Sequence, residues 1–147
     1  MNLQGRKVII TGAGDGIGRA LALAFAKEGA LVAVCARSQD RLDSLSGEIE
    51  SAGHLFISAD LGKVEGVEAF HESVMKQLGQ VDVLINNVGA ILKLANFFEL
   101  TDQDWEDSFQ INLMSAVRLT RLCIPLLKQS ACARVINISS IAAASPQ

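Results

Sequence analysis

Five short apolar runs punctuate the chain, and between them apolar residues recur every three or four positions. The runs are Lys7–Thr11 (KVIIT), Leu31–Ala36 (LVAVCA), the weaker His54–Ser58, Val81–Ile85 and Arg134–Ile138 (RVINI). Unbroken rather than alternating hydrophobicity, bounded by glycines and polar residues, predicts strands buried on both faces. The first spaced segment, Ile17 to Glu28, puts Ile17, Leu21, Ala24 and Phe25 on one helical face, and Gly29 supplies the stop. A second helix is expected from about Gln39 to Ser51, with Leu42, Leu45 and Ile49 aligned and Gly53 after it. A third carries Val64, Val67, Phe70, Val74 and Leu78 and ends at Gly79. A longer fourth begins near Thr101, where Thr101 and Asp104 have capping-box spacing. It aligns Trp105, Phe109, Leu113 and Val117 on one side, and Pro125 is expected to kink it near its end.

Strict alternation of strand and helix predicts an α/β fold, a doubly wound parallel sheet with helices on both faces, in one domain spanning residues 1–147. Right-handed crossovers with a reversal after the third strand give the strand order 3-2-1-4-5. Ligands of such sheets bind outside the carboxyl ends of the strands, at the point of reversal. The residues to inspect for chemistry are therefore those that follow each strand.

Composition narrows the function classes. At 147 residues the chain has the length of one domain, and with 50% hydrophobic residues it can bury a core. A formal charge of −3, with Lys and Arg scattered rather than grouped, leaves no electrostatic footprint for nucleic acid or an anionic membrane. Cys35, Cys123 and Cys132 are odd in number and lack metal-ligand spacing. They read as small buried hydrophobes in a reducing compartment, so no metal is expected. Met1 to Lys7 leads directly into the first strand with no signal peptide. The most apolar stretch, Ala20 to Ala36, is interrupted by Lys27, Glu28 and Gly29 and cannot span a bilayer. A soluble, cytoplasmic chain is the expectation.

The first strand is followed by Thr11 to Gly18, TGAGDGIG. The spacing GxGxxG fits no register here, whereas GxxxGxG fits through Gly12, Gly16 and Gly18. Glycines are needed where backbone turns sharply and approaches a pyrophosphate closely. A helix opening at Ile17 adds free amide groups and the positive end of its dipole. A glycine turn that follows a strand and opens a helix is a dinucleotide-binding signal, while a plain connecting turn is the simpler alternative. Asp15 would repel a phosphate there unless it points outward, so it is expected to face solvent. The second strand ends at Ala36, followed by Arg37. An acidic residue at that position binds the ribose 2′-hydroxyl of NAD. A neutral residue followed by Arg instead offers a fork for a 2′-phosphate, so NADP is favoured, with NAD as the alternative.

Together, TGAGDGIG, the later NNVG (Asn86 to Gly89), Asn112 and VINISS (Val135 to Ser140) resemble the classical short-chain dehydrogenase/reductase family, in order along the whole chain. The resemblance implies a Rossmann-type fold, a nicotinamide cofactor, and hydride transfer between an alcohol and a carbonyl. It implies cofactor contacts from Thr11, Gly12, Gly16, Ile17, Gly18, Arg37, Asp60, Leu61, Asn87 and Gly89. Asp60 would touch the adenine, although a helix N-cap or loop role suits an Asp equally. Val88 stands where the family has Ala, adding bulk beside the cofactor, and the Asn amides of that turn could also lock neighbouring strands. Catalytic roles fall to Ser140, which would hold the substrate oxygen, and to Asn112, which would keep a proton-relay water. The family also uses a Tyr whose pKa a Lys lowers, spaced YxxxK shortly after the Ser. No tyrosine occurs in the 147 residues, and the chain reaches only Gln147. His54 and His71, placed far from Ser140, read as surface residues rather than substitute acids, and Lys93 as a solvated loop residue.

The expectation is therefore a C-terminally incomplete domain, marginally stable alone or covered by a homo-oligomer or complementing chain, with the fifth strand as an open edge. One reading makes it part of an NADP-dependent reductase acting on a small carbonyl or alcohol. Another makes it a non-catalytic dinucleotide-binding or interaction module, and a third a fragment with neither activity nor ligand.

Overall fold

The computed structural model describes residues 3–50 and 52–143. Five parallel strands form one sheet in the order β3-β2-β1-β4-β5. They are β1 (Lys7–Thr11), β2 (Leu31–Ala36), β3 (Leu55–Ser58), β4 (Val83–Asn86) and β5 (Arg134–Asn137). The helices are α1 (Gly16–Lys27), α2 (Gln39–Glu48), α3 (Val64–Leu78), α4 (Asp102–Phe109) and α5 (Ser115–Leu127). The doubly wound order expected from the alternation is the order observed.

The apolar runs lie in the strands because each strand of the sheet's middle is covered twice. Successive side chains leave a strand on opposite faces. Val8, Ile10, Val32, Val34, Val83 and Ile85 pack on one face with Ala22, Leu42 and Leu45 of α1 and α2. Ile9, Ala33, Cys35 and Leu84 pack on the other with Phe70 and Val74 of α3 and Leu119 and Cys123 of α5. The fifth strand differs, since all four of its residues are exposed.

Several boundaries move for physical reasons. The second helix stops at Glu48, because Ile49 takes an extended conformation (φ −102°, ψ 104°); the expected end at Ser51 falls outside the described residues. The fourth strand starts at Val83 rather than Val81, and Asp82 just before it holds the strand's foot with its side chain. Its carboxylate accepts hydrogen bonds from the Lys7 amide at 2.9 Å, the Ser130 hydroxyl at 2.5 Å and Gln80 Nε2 at 3.2 Å, with Arg6 at 3.5 Å. Burial alone would push the Asp82 carboxyl up, but these donors and the Arg6 charge outweigh it and hold the group below its ordinary value.

The long helix expected from Thr101 is divided. Thr101 and Asp104 form the anticipated capping box on α4. A π-helical turn, Gln110–Met114, then separates α4 from α5. The extra residue in that turn rotates the buried face onto Ile111, Ser115, Leu119, Cys123 and Leu127. The stripe read from the sequence, Trp105, Phe109, Leu113 and Val117, stays 36–55% exposed. Pro125 sits in the last turn of α5. Among the described residues, no helix is long and apolar enough to cross a membrane, and no group of three or more His, Cys, Asp or Glu side chains could hold a metal.

Candidate functional site

Where the sheet reverses direction, between β1 and β4, the loops after four strands converge on an open cleft of about 670 Å³. Its walls are Gly12, Gly14, Asp15 and Gly16 after β1, Ala36 to Ser38 after β2, Ala59 to Leu61 after β3 and Asn87 to Ala90 after β4, with Arg41 of α2 at the side. The glycine turn is therefore open to solvent, not filled by side chains.

The turn is shaped from within. Gly12 and Gly16 adopt left-handed conformations (φ +68° and +52°) that favour glycine. Gly18 is glycine for contact: a Cβ there would lie 2.5 Å from Asn87 Nδ2 and nearer still to the Gly12 carbonyl. Asn87 Nδ2 donates to the Thr11 and Gly12 carbonyls at 2.9 and 3.2 Å. The Thr11 hydroxyl accepts from the Asn87 and Val88 amides at 2.9 and 3.0 Å. Four hydrogen bonds thus clamp the turn after β4 to the turn after β1. Asn86 extends the lock in the other direction, donating to Asn137 Oδ1 at 2.9 Å and Thr120 Oγ1 at 3.0 Å. The hydrogen bonds expected to lock neighbouring strands through these amides are present.

Asp15 is solvent-exposed, as expected, at the lip of the cleft, and caps α1 by accepting from the Gly16 amide at 2.7 Å. Its other oxygen pairs with Arg41 Nη1 at 3.2 Å. Asp60 also works locally, accepting from the Gly62 amide at 3.1 Å while lining the cleft. Cys35 lies in the cleft's floor, where burial pushes its thiol up to about 12, so it stays protonated and is no nucleophile.

A second cleft of about 680 Å³ shares Asn87 to Ala90 with the first. Its other walls include Ile17, Ile91 to Lys93, Trp105, Asn112, Ser139 and Ser140. Asn112 lies inside the π-helical turn. Its Oδ1 accepts from the Ala90 amide at 2.8 Å, and its Nδ2 donates to the Ala90 and Ser108 carbonyls at 2.9 and 3.0 Å. The side chain thereby ties the π-helical turn to Ala90. Lys93 donates to Asp104 at 2.8 Å and to the Glu99 carbonyl at 3.2 Å, so it is paired rather than simply solvated. That contact and the Thr101 donors hold the Asp104 carboxyl down to about 2.

Of the residues singled out from sequence, Gly12, Gly16, Arg37, Asp60, Leu61, Asn87 and Gly89 line the first cleft. Ile17, Asn112 and Ser140 line the second, while Thr11 and Gly18 are buried behind the turn and shape it. His54 and His71 line neither cleft. Both are partly buried, which lowers their pKa, and His54 Nδ1 accepts from the Val32 amide at 3.1 Å. Arg41 and Gly14 were missed. The signal available for Arg41 was its place in the first turn of a helix capped by Ser38, immediately beyond β2.

The comparisons agree with this architecture. Residues 6–147 match the short chain dehydrogenase family profile. The chain is 37% identical over 147 residues to the uncharacterized oxidoreductase YvrD of Bacillus subtilis, covering 99% of this chain and 55% of that protein. It is 35% identical over 136 residues to the NADPH-dependent pterin aldehyde reductase of Arabidopsis thaliana, covering 92% of this chain and 56% of the relative. The crystal structure of NADH-dependent reductase A1-R′ complexed with NAD superposes with a TM-score of 0.86 at 28% identity, over 96% of this chain and 62% of that one. The chain thus spans little more than half the length of the curated relatives it matches. With the sheet order, the clamped glycine turn and the family match in agreement, this chain belongs to the short-chain dehydrogenases, an oxidoreductase family.

Proposed function

We propose that this chain is the cofactor-binding portion of an NADP(H)-dependent reductase that interconverts an alcohol and a carbonyl. The observation that carries the reading is the open cleft at the sheet's reversal, walled by Gly12, Gly14, Asp15 and Gly16 and by Arg37. A dinucleotide fits these walls: Cβ-free backbone admits a pyrophosphate, and the N-terminus of α1 favours its charge. Arg37 would hold the 2′-phosphate, with neutral Ala36 offering no repulsion, while Asp60 and Leu61 would border the adenine. Asn87 and Gly89, shared by both clefts, would border the path toward the nicotinamide. The bound cofactor supplies the hydride.

Ser140 would donate a hydrogen bond to the substrate oxygen in the second cleft. Asn112 would act by position, holding Ala90 and the loop that follows it against that cleft. A reduced carbonyl oxygen also needs a proton, and none of the 147 residues is a tyrosine that could deliver it in the family's manner. Without that proton donor we expect no turnover by these residues alone, whatever their affinity for the nucleotide. Three free cysteines, two of them buried, suit a cytoplasmic setting.

Titration of the 147-residue chain with NADPH and NADH, followed by nucleotide fluorescence, tests the cofactor reading. Tighter binding of NADPH is expected, and equal or reversed preference would refute the NADP assignment. Carbonyl-dependent NADPH oxidation should not exceed background, and measurable turnover would refute the catalytic part.

A further inference from the structure

The ion pair between Asp15 and Arg41 spans the lip of the nucleotide cleft. Asp15 belongs to the glycine turn after β1, and Arg41 to the first turn of α2. Both line the cleft beside Ala36, Arg37 and Ser38, the corner that decides between a ribose hydroxyl and a ribose phosphate. Arg41 is built into this place. Ser38 caps its helix and accepts from the Arg41 amide at 3.4 Å. The Arg41 carbonyl accepts from Arg19 Nη1 of α1 at 3.3 Å, and Arg19 also binds Ser44 and Glu48 of α2. The stem of Arg41 lies over Gly14, where a Cβ would come within 3.4 Å of Arg41 Cδ and 3.0 Å of the Ala36 Cβ. Gly14 is outside the GxxxGxG spacing, and this close approach is the reason the structure gives for a glycine there.

Two arginines, Arg37 and Arg41, line this corner, and the second is already paired to a carboxylate. Asp15 is fixed in turn, since its second oxygen caps α1. We propose that Arg41 is a second cation for the 2′-phosphate of NADP, and that Asp15 sets the strength of this contact by competing with the phosphate for the guanidinium. The proposal rests on the NADP reading above and deepens it. Asp15 is then a tuning residue rather than a plain repulsive charge in a phosphate turn. Both side chains are more than half exposed (74% for Asp15, 59% for Arg41), so the guanidinium can turn from one partner to the other without repacking the core.

The test compares adenosine 2′,5′-bisphosphate with 5′-AMP, which differ only in the 2′-phosphate, by NMR titration of the 147-residue chain. The variants are Arg41→Gln, which keeps the stem over Gly14; Asp15→Asn, which keeps a capping oxygen; and the double variant. The wild type should prefer the bisphosphate, and Arg41→Gln should cut that preference about tenfold, the scale of one charge-assisted hydrogen bond. Asp15→Asn should raise the preference several-fold, and the gain should vanish in the double variant. Unchanged preference in Arg41→Gln overturns the proposal, as does a gain from Asp15→Asn that persists without Arg41, since that would be simple repulsion. A wild type that binds both nucleotides equally would overturn the NADP reading and this proposal with it. Binding of neither would remove the nucleotide site altogether.

Discussion

Single residues in the glycine turn carry different burdens, and substitution separates them. At Gly18 a methyl group would collide with the Gly12 carbonyl and the Asn87 amide, both held by the inter-loop clamp. Gly18→Ala should therefore cost about 1–3 kcal/mol of stability and weaken nucleotide binding, read from the urea midpoint and a titration. A methyl group at Gly16 would meet no atom within 4 Å, so Gly16→Ala faces only the positive φ and should cost about 1–2 kcal/mol. Asn112 is a residue that the sequence could mark but whose contacts it could not give. Its mid-helix placement marked it, yet the reason, a two-way grip on Ala90, joins residues 22 apart in the chain. Asn112→Asp keeps the acceptor for the Ala90 amide and loses the donors to Ala90 and Ser108. Amide exchange at residues 90–93 should accelerate in that variant, whereas exchange in β1 should not change.

At the scale of elements, the acid limb of stability belongs to the foot of the sheet and the start of α4. The Asp82 carboxyl joins β1, β4 and the turn before β5, and its pKa in the folded chain lies below the ordinary 3.8. Asp104 at the start of α4 is depressed too, to about 2. A depressed folded value means that the unfolded chain takes up the proton first as pH falls. Both contributions are therefore complete above about pH 4 and are lost as pH drops from there through the folded values. Asp82→Asn should flatten this part of a pH–stability curve, and an unaltered curve would place the acid sensitivity elsewhere. The histidines act at higher pH in the same direction. Burial lowers both, so protonation of the unfolded chain below its ordinary 6.5 draws the equilibrium toward unfolding. These element-level contacts were outside sequence reasoning, because Lys7, Asp82 and Ser130 are brought together only by strand pairing.

At the scale of the whole molecule, the described residues leave a band of apolar side chains exposed on one side. The stripe Trp105, Phe109, Leu113 and Val117 continues through Ile124, and Val135, Ile136 and Ile138 are open around β5. Apolar surface of this extent marks an interaction face or an aggregation liability, and an edge strand adds unpaired backbone groups. The 147-residue chain should bind the dye ANS in its folded form and associate with rising concentration in sedimentation. Leu113→Glu, at a half-exposed position, should reduce association while leaving the unfolding midpoint within about 0.5 kcal/mol of the parent. A monomeric, dye-silent wild type would contradict this.

Much of the molecule was determined by local order along the chain. Continuous apolar runs specify strands covered twice, regular alternation specifies a parallel sheet, and right-handed crossovers with one reversal lead to the strand order that is found. The glycine spacing and the residues after each strand marked the first cleft for the same reason, since strand ends are defined locally. What the tertiary structure alone decided is which side chains meet across those ends. The Thr11–Asn87 clamp, the Asp82 hub and the Asp15–Arg41 pair each join segments separated by 26 to 76 positions. Helical periodicity could show that α4 and α5 have apolar residues, but not which stripe would be buried. A single π-helical turn rotates one face relative to the other, and that rotation is fixed by packing against α3 and the sheet.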